Sequence, residues 1–332
     1  MARTIRFHKT GGPEVMQFEE LEVGAPGAGE MRIRVESIGL NRAEALFRAG
    51  HYLEAPHLPA RIGYEAAGVV EALGEGVTGY KVGDPICVMP AFSMNQYGVY
   101  AEQAIVPAYS VLKRPAGISV VEASSIWMQY LTAYGAMIDI AKLGKGDAVV
   151  ITAASSSVGL AAIQIANSVG AIPIAVTRGE SKKAALLKAG AAAVVVSATD
   201  DLAAEVARVT DGKGAKLVFD PINGPGVLTL APALGQGGML ILYGNLSGEA
   251  DKTPFPFRLS VMKGFSMRGY VVFEIIKDPQ RLARAVDFVV KGLQDGTLKP
   301  VIDKVFPFEK IADAHRHLES NTQFGKIVVT VP

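Results

Sequence analysis

The sequence predicts an α/β protein made of a β-rich N-terminal part followed by a doubly wound parallel sheet. Three observations lead there. The chain has 332 residues, a length that suggests about two domains. Before residue 120 or so, short apolar runs are separated by glycine-rich turns, as in a barrel-like or multi-sheet β domain. After it, β-branched runs alternate with helical stripes. Those runs are apolar on both faces, as strands covered on both sides are.

The elements follow in order. Residues 31–35 alternate apolar and charged side chains, the pattern of a half-buried strand. Residues 63–73 read as a long strand that ends in the turn Gly74-Glu75-Gly76, and residues 85–89 follow a second glycine turn. A helical pattern runs over 122–141. Strands are expected at 148–152, 172–177, 193–196, 216–220, 238–243 and 265–270. A helix over 157–169 stops at Gly170, and another over 181–189 stops at Gly190; both glycines suit a helix C-terminus. Pro279 opens a helix with the stripe Leu282, Val286, Val289 and Leu293, and 327–331 is a closing strand.

Composition narrows the function. A hydrophobic fraction of 49% supplies large cores, and a formal net charge of +1 gives no basic excess for holding a nucleic-acid backbone. No apolar run reaches the roughly 20 residues that span a bilayer. Residues 1–6 read as a strand, not as a signal peptide. The single cysteine, Cys87, leaves no internal disulfide and no multi-cysteine zinc site. These features fit a cytoplasmic enzyme acting on a small molecule.

The sharpest local signal is Ala153-Ala154-Ser155-Ser156-Ser157-Val158-Gly159, which follows a strand and opens a helix. In a dinucleotide fold the pyrophosphate sits there, on free amides at the positive end of the helix dipole. Ser156 and Ser157 stand where glycines are usual. Their small side chains still admit a phosphate, and their hydroxyls can donate to it. The alternative is a serine cap on an ordinary helix. The position of the loop, first in a run of strand–helix units, favours the dinucleotide, with contacts from Ser155 to Val158. The next strand ends at Thr177, followed by Arg178 and Lys182, with no carboxylate to select an unphosphorylated ribose. Arg178 and Lys182 suit a 2′-phosphate, so NADPH is the expected cofactor; Lys183 reads as solvated surface.

These residues, with the β-rich part before them, resemble the medium-chain dehydrogenase/reductase superfamily over essentially the whole chain, and within it the zinc-free, ζ-crystallin-like quinone oxidoreductase branch. The likeness is carried by Gly39-Leu40-Asn41-Arg42-Ala43-Glu44 and Arg48-Ala49-Gly50. Gly63-Tyr64-Glu65-Ala66-Ala67-Gly68-Val69-Val70, Leu131-Thr132-Ala133-Tyr134 and Gly325-Lys326-Ile327-Val328 add to it. The resemblance implies a GroES-like catalytic domain over 1–122, a Rossmann NADP-binding domain over 123–270 and a return to the catalytic domain over 271–332. It also implies a homodimer that extends the parallel sheet through 265–270. Where zinc alcohol dehydrogenases carry ligands, this chain has Asn41, Tyr64 and, at or near the third position, Met128; none is a credible zinc donor. His51, His57, His315 and His317 suggest no metal site either.

Without a Lewis acid, the acceptor must already be electron-poor: a quinone, or an alkene conjugated to a carbonyl. The protein then supplies orientation and hydrogen-bond donors. Asn41, Tyr52 and Tyr64 are the candidate donors, although Tyr64 equally suits a role as filler of the vacated metal cavity and Tyr52 as a packed loop anchor. By resemblance, Thr132 neighbours the nicotinamide, Asn223 and Tyr243-Gly244-Asn245 end strands on the binding edge, and Lys326 lies near the phosphates. Phe92, Met94, Trp127, Met128 and Phe273 are the expected pocket lining. A protein that binds NADPH with little turnover, in a structural or regulatory role, is the alternative of another class.

Overall fold

The computed structural model describes residues 1–332, which fall into two compact units. Met1–Met128 and Pro300–Pro332 form the first, Gln129–Lys299 the second.

The chain begins with β1 (Ala2–Arg6) and β2 (Gln17–Leu21), which pair antiparallel. There follow β3 (Glu30–Gly39), α1 (Arg42–Ala49), β4 (Glu65–Leu73), β5 (Pro85–Val88), β6 (Gln103–Pro107) and β7 (Val111–Lys113). Along β3, Met31, Ile33, Val35 and Ile38 are buried; the alternation read from sequence therefore holds until the strand passes fully into the core. Two short helices, α2 (Val120–Ala123) and α3 (Trp127–Tyr134), lead out of this part.

The second unit alternates strand and helix: β8 (Ala148–Ile151), α4 (Ser157–Ser168), β9 (Ile172–Thr177), α5 (Lys183–Lys188), β10 (Ala193–Val196), α6 (Leu202–Val209), β11 (Ala215–Asp220), α7 (Val227–Leu230), β12 (Leu234–Leu242), α8 (Phe257–Lys263) and β13 (Ser266–Gly269). The short α9 (Phe273–Ile276) and the long α10 (Pro279–Asp295) complete it. Its six strands lie in the order β10-β9-β8-β11-β12-β13, all parallel. Connections run one way from β8 and the other way from β11, so a crevice opens between these two strands at their carboxyl ends, where ligands of open α/β sheets bind. Val150, Ile174, Val195, Val218 and Leu240 form part of the core on one face. The chain then returns to the first unit as β14 (Ile302–Pro307), α11 (Ile311–Glu319) and β15 (Lys326–Thr330). Here a seven-stranded sheet takes the order β14-β15-β3-β4-β5-β7, with β6 paired to β3.

Two expectations differ from this picture. The units divide at 128 and 299, not at 122 and 270. Residues 271–299 stay with the parallel sheet because Arg281 on α10 pairs with Asp139 at 2.7 Å and Phe288 packs on Tyr134 with ring centroids 5.1 Å apart. The single helix expected over 122–141 is instead α2, α3 and a π-helical stretch, Gly135–Ile140. Ser119 caps α2 from within the sequence, but α3 starts on a carboxylate from a distant strand: Glu65 Oε1 accepts from the Trp127 and Met128 amides at 2.8 and 3.1 Å. No local pattern could announce that cap.

Candidate active site

In the parallel-sheet unit, the loop after β8 turns sharply at Ala153, whose φ of 45° is left-handed. Ser156 then caps α4, its Oγ accepting from the Gly159 amide at 3.0 Å. The cap and the phosphate site are compatible: Ser156 takes up the third amide, while those of Ser157 and Val158 stand in the first turn, where a helix provides no partner of its own. Gly159 lets the helix press against the preceding loop, since a Cβ there would lie 2.6 Å from the Ala154 carbonyl oxygen. Lys182 reaches back to this loop and donates from Nζ to Ser155 Oγ at 3.0 Å. Thr177 ends β9 and Arg178 is exposed. The nearest acid, Glu180, is exposed and paired with Lys183. Open amides, a tight backbone approach and a lysine held over the loop together fit a dinucleotide with a 2′-phosphate.

The neighbouring strand ends are occupied by their own architecture. Asp220, fully buried at the end of β11, is hydrogen-bonded to Thr152 and accepts from the Ile222 and Asn223 amides at 3.2 and 2.7 Å. Burial raises its carboxyl from the ordinary value, against the hydrogen bonds from Thr152 and the two amides. Asn223 donates to the Gly244 carbonyl at 3.3 Å and accepts from the Gly224 amide at 3.0 Å; Asn245 accepts from the Ala250 amide at 3.1 Å. These two asparagines shape the loops of the binding edge. Tyr243 stacks on Phe219 with ring centroids 4.0 Å apart, and its buried hydroxyl meets no protein partner. Thr132 and Phe273 lie in this same unit.

In the first unit, the structure brings together Asn41, Tyr52, Tyr64, Phe92 and Lys326. Tyr64 is enclosed by rings, with Tyr52 at 6.2 Å and Phe92 at 5.7 Å between centroids. The two hydroxyls are hydrogen-bonded to each other. Burial pushes Tyr52 up to about 12 and Tyr64 higher still. Tyr52 is the partly exposed member of the pair and Tyr64 the buried one. Glu54 holds the loop carrying Phe92 and Met94 to the loop carrying Tyr52, accepting from the Met94 amide at 3.0 Å.

Beneath the pair lies a charge network that the sequence reading did not anticipate. Lys326 and Glu65, both fully buried in their side chains, form an ion pair at 2.6 Å, and the same ammonium donates to Asn41 Oδ1 at 2.6 Å. Glu44 reaches back to the Asn41 amide at 2.9 Å and also accepts from the Tyr64 amide at 3.1 Å. Burial raises its carboxyl to about 7 despite these donors and the Lys326 charge. Two expectations are corrected here. Asn41 is no free donor to a reacting carbonyl: its amide hydrogens serve the Gly39 carbonyl at 3.1 Å and Glu44 at 3.3 Å, and its oxygen serves Lys326. Lys326, expected near the phosphates, has its ammonium buried and held by Glu65 and Asn41. Removing one partner of such a pair typically costs about 3–5 kcal/mol. Of the expected pocket lining, Phe92, Met94 and Trp127 are buried.

Charges inside apolar strands were the available signal, since Glu and Lys are almost never buried unless paired. Glu65 stands before Ala66-Ala67-Gly68 and Lys326 before Ile327-Val328-Val329. Asn41 followed three residues later by Glu44 also matches a capping box. A second buried cluster had no such signal. His315 accepts at Nδ1 from Arg48 at 2.6 Å and faces the Tyr100 hydroxyl from Nε2 at 3.2 Å. Burial and the charges of Arg48 and Arg42 keep this histidine neutral, and it ties α11 to the end of α1.

Comparison with known proteins agrees with this architecture. The alcohol dehydrogenase GroES-like domain family matches residues 27–116, and the family described as zinc-binding dehydrogenase matches 157–291. The quinone oxidoreductase of Lama guanicoe is 30% identical over 332 residues, covering 99% of this chain and 97% of its own length. The synaptic vesicle membrane protein VAT-1 homolog of Rattus norvegicus is 31% identical over 324 residues, covering 92% of this chain and 78% of its own. Among solved structures, the Escherichia coli quinone oxidoreductase in complex with NADPH superposes with a TM-score of 0.91 at 27% identity, covering 99% of both chains. The chain belongs to the zinc-free, quinone oxidoreductase branch of the medium-chain dehydrogenase/reductases.

Proposed function

We propose that this chain is an NADPH-dependent reductase that moves a hydride to a quinone, or to an alkene conjugated with a carbonyl. The observation that carries the reading is the pairing of the Tyr64 and Tyr52 hydroxyls, with Tyr52 on the partly exposed side. Bound nicotinamide supplies the hydride, two electrons and one proton. The residues of this chain do the rest. Ser155, Ser157 and Val158 hold the phosphates, and Lys182 with Arg178 selects the 2′-phosphate. Tyr52 delivers a proton to the reduced acceptor, on the quinone oxygen or at the carbon α to the carbonyl. Tyr64 donates to Tyr52 and stabilises the tyrosinate left behind, which solvent then reprotonates. Developing charge in such acceptors is spread over the conjugated system, so hydrogen bonding suffices where a simple ketone needs a Lewis acid.

The test is NADPH oxidation with 1,4-naphthoquinone and with 2-hexenal, for the wild type and for Tyr52→Phe and Tyr64→Phe. A positioned acid is typically worth about 10²–10⁴ in rate. Tyr52→Phe should lose about that much in kcat with NADPH affinity unchanged, and Tyr64→Phe should lose less. Tight NADPH binding with no turnover of any quinone, enal or enone would favour a binding protein over an enzyme.

We also propose that the protein acts as a homodimer. β13 pairs only with β12 and so leaves a sheet edge open. Beside it in the chain, Phe257, Val261 and Met262 on α8 are exposed at 70%, 67% and 65%. An open edge with an apolar patch attracts a partner strand, and a second copy brings the matching edge.

A further inference from the structure

The three segments that hold residues 41, 64 and 128 have no metal-ligating side chains to join them, yet each is tied to one buried charge network. Lys326 Nζ donates to Asn41 Oδ1 at 2.6 Å and to Glu65 Oε2 at 2.6 Å. The other oxygen of Glu65 accepts from the Met128 amide at 3.1 Å and from the Trp127 amide at 2.8 Å. Asn41 passes the constraint to Glu44, and Glu44 accepts from the Tyr64 amide at 3.1 Å. The ammonium reaches this point because residue 39 is a glycine: a Cβ there would lie 2.8 Å from Lys326 Cε.

We infer that Lys326 is a positioning residue for hydride transfer, cross-linking these three segments so that the Tyr64–Tyr52 pair is aimed at the acceptor. The inference rests on the proposed role of that pair as proton donor. A buried ion pair is by itself weak evidence of stabilisation, because an apolar pair of similar volume often does as well. What an apolar pair cannot do is orient Asn41. With its oxygen held by an ammonium, the Asn41 amide must present its hydrogens to Glu44 and the Gly39 carbonyl. In that orientation both oxygens of Glu44 face N–H donors, one of them on Tyr64 itself. The network thus converts a charge on β15 into a fixed backbone position at the start of β4, next to the hydroxyl pair.

The experiment uses the full chain and 1,4-naphthoquinone. Glu65→Gln combined with Lys326→Met removes both partners of the ion pair together. Asn41→Ala keeps the Lys326–Glu65 ion pair and removes the side-chain bridge from Lys326 to Glu44, while the residue 41 backbone amide still reaches Glu44. Unfolding, NADPH affinity, KM and kcat are measured, with the emission of Trp127, the only tryptophan, as a check on the fold. Each variant should keep its fold and NADPH affinity while kcat falls roughly tenfold to a hundredfold, the usual penalty of a misplaced catalytic group. Adding Tyr52→Phe to either should cost much less than it costs the wild type. Wild-type kcat in Asn41→Ala, or recovery of kcat together with stability in the double variant, overturns the inference. So does a loss of NADPH affinity that matches the loss of kcat. Wild-type kcat in Tyr52→Phe alone overturns instead the donor reading on which the inference stands.

Discussion

Lys182→Met is the most direct probe of the cofactor site. The side chain is half-buried, and its ammonium stands 3.0 Å from Ser155 Oγ, so it is already placed over the phosphate loop before any ligand arrives. A hydrogen bond to a charged group contributes about 1.5–3 kcal/mol, which is roughly a tenfold to hundredfold change in affinity. Solvent access lowers that figure, and at 0.15 M salt the Debye length of about 8 Å screens it further. A tenfold weakening for NADPH is therefore the expected result, with NADH almost unaffected. Arg178→Ala, at an exposed position, should act in the same direction with a smaller effect. The assay is titration of both nucleotides into the wild type and the two variants, at low and moderate salt. Wild-type affinity should favour NADPH, and the preference should shrink as salt rises. Equal weakening of both nucleotides in Lys182→Met would refute the reasoning, because Lys182 would then be supporting the loop and not the 2′-phosphate.

The other predictions concern stability and assembly. Glu44 is raised from its ordinary 4.5 to about 7 by burial. Because the folded state then holds a proton that the unfolded state releases, stability should fall as pH climbs from 4.5 to 7, by at most about 3 kcal/mol. Denaturation of the wild type and Glu44→Gln across that range should show the slope only in the wild type; parallel curves would count against it. Val261→Glu with Met262→Glu places charges on the exposed face of α8 and should convert a dimer into a monomer by light scattering, with turnover per chain measured alongside. A wild type that is already monomeric at micromolar concentration removes the basis for the dimer.

What was legible in the sequence is the local part of the molecule. Strands 172–177 and 193–196 and the start of α10 at Pro279 coincide with the expectation residue for residue. The reason is that both-face apolar runs and a proline at the first helical position are short-range signals. The phosphate loop was legible for the same reason: strand, small residues and helix start are contiguous. Tyr52 and Tyr64 could be named, but not joined into a pair, because their contact depends on how two separate loops pack.

Tertiary structure decided everything that depends on contacts between distant residues. Lys326 lies 261 positions from Glu65 and 285 from Asn41, so neither its burial nor its partners could be inferred from its neighbours. Its role changed from phosphate contact to buried ammonium, and Asn41 changed from donor to oriented support. The start of α3 depends on the same carboxylate. By itself the sequence determined which segments are strands and helices and which residues carry chemistry. Only folding decided which charges meet, since a charge in an apolar strand is tolerated only when another strand brings its counterpart.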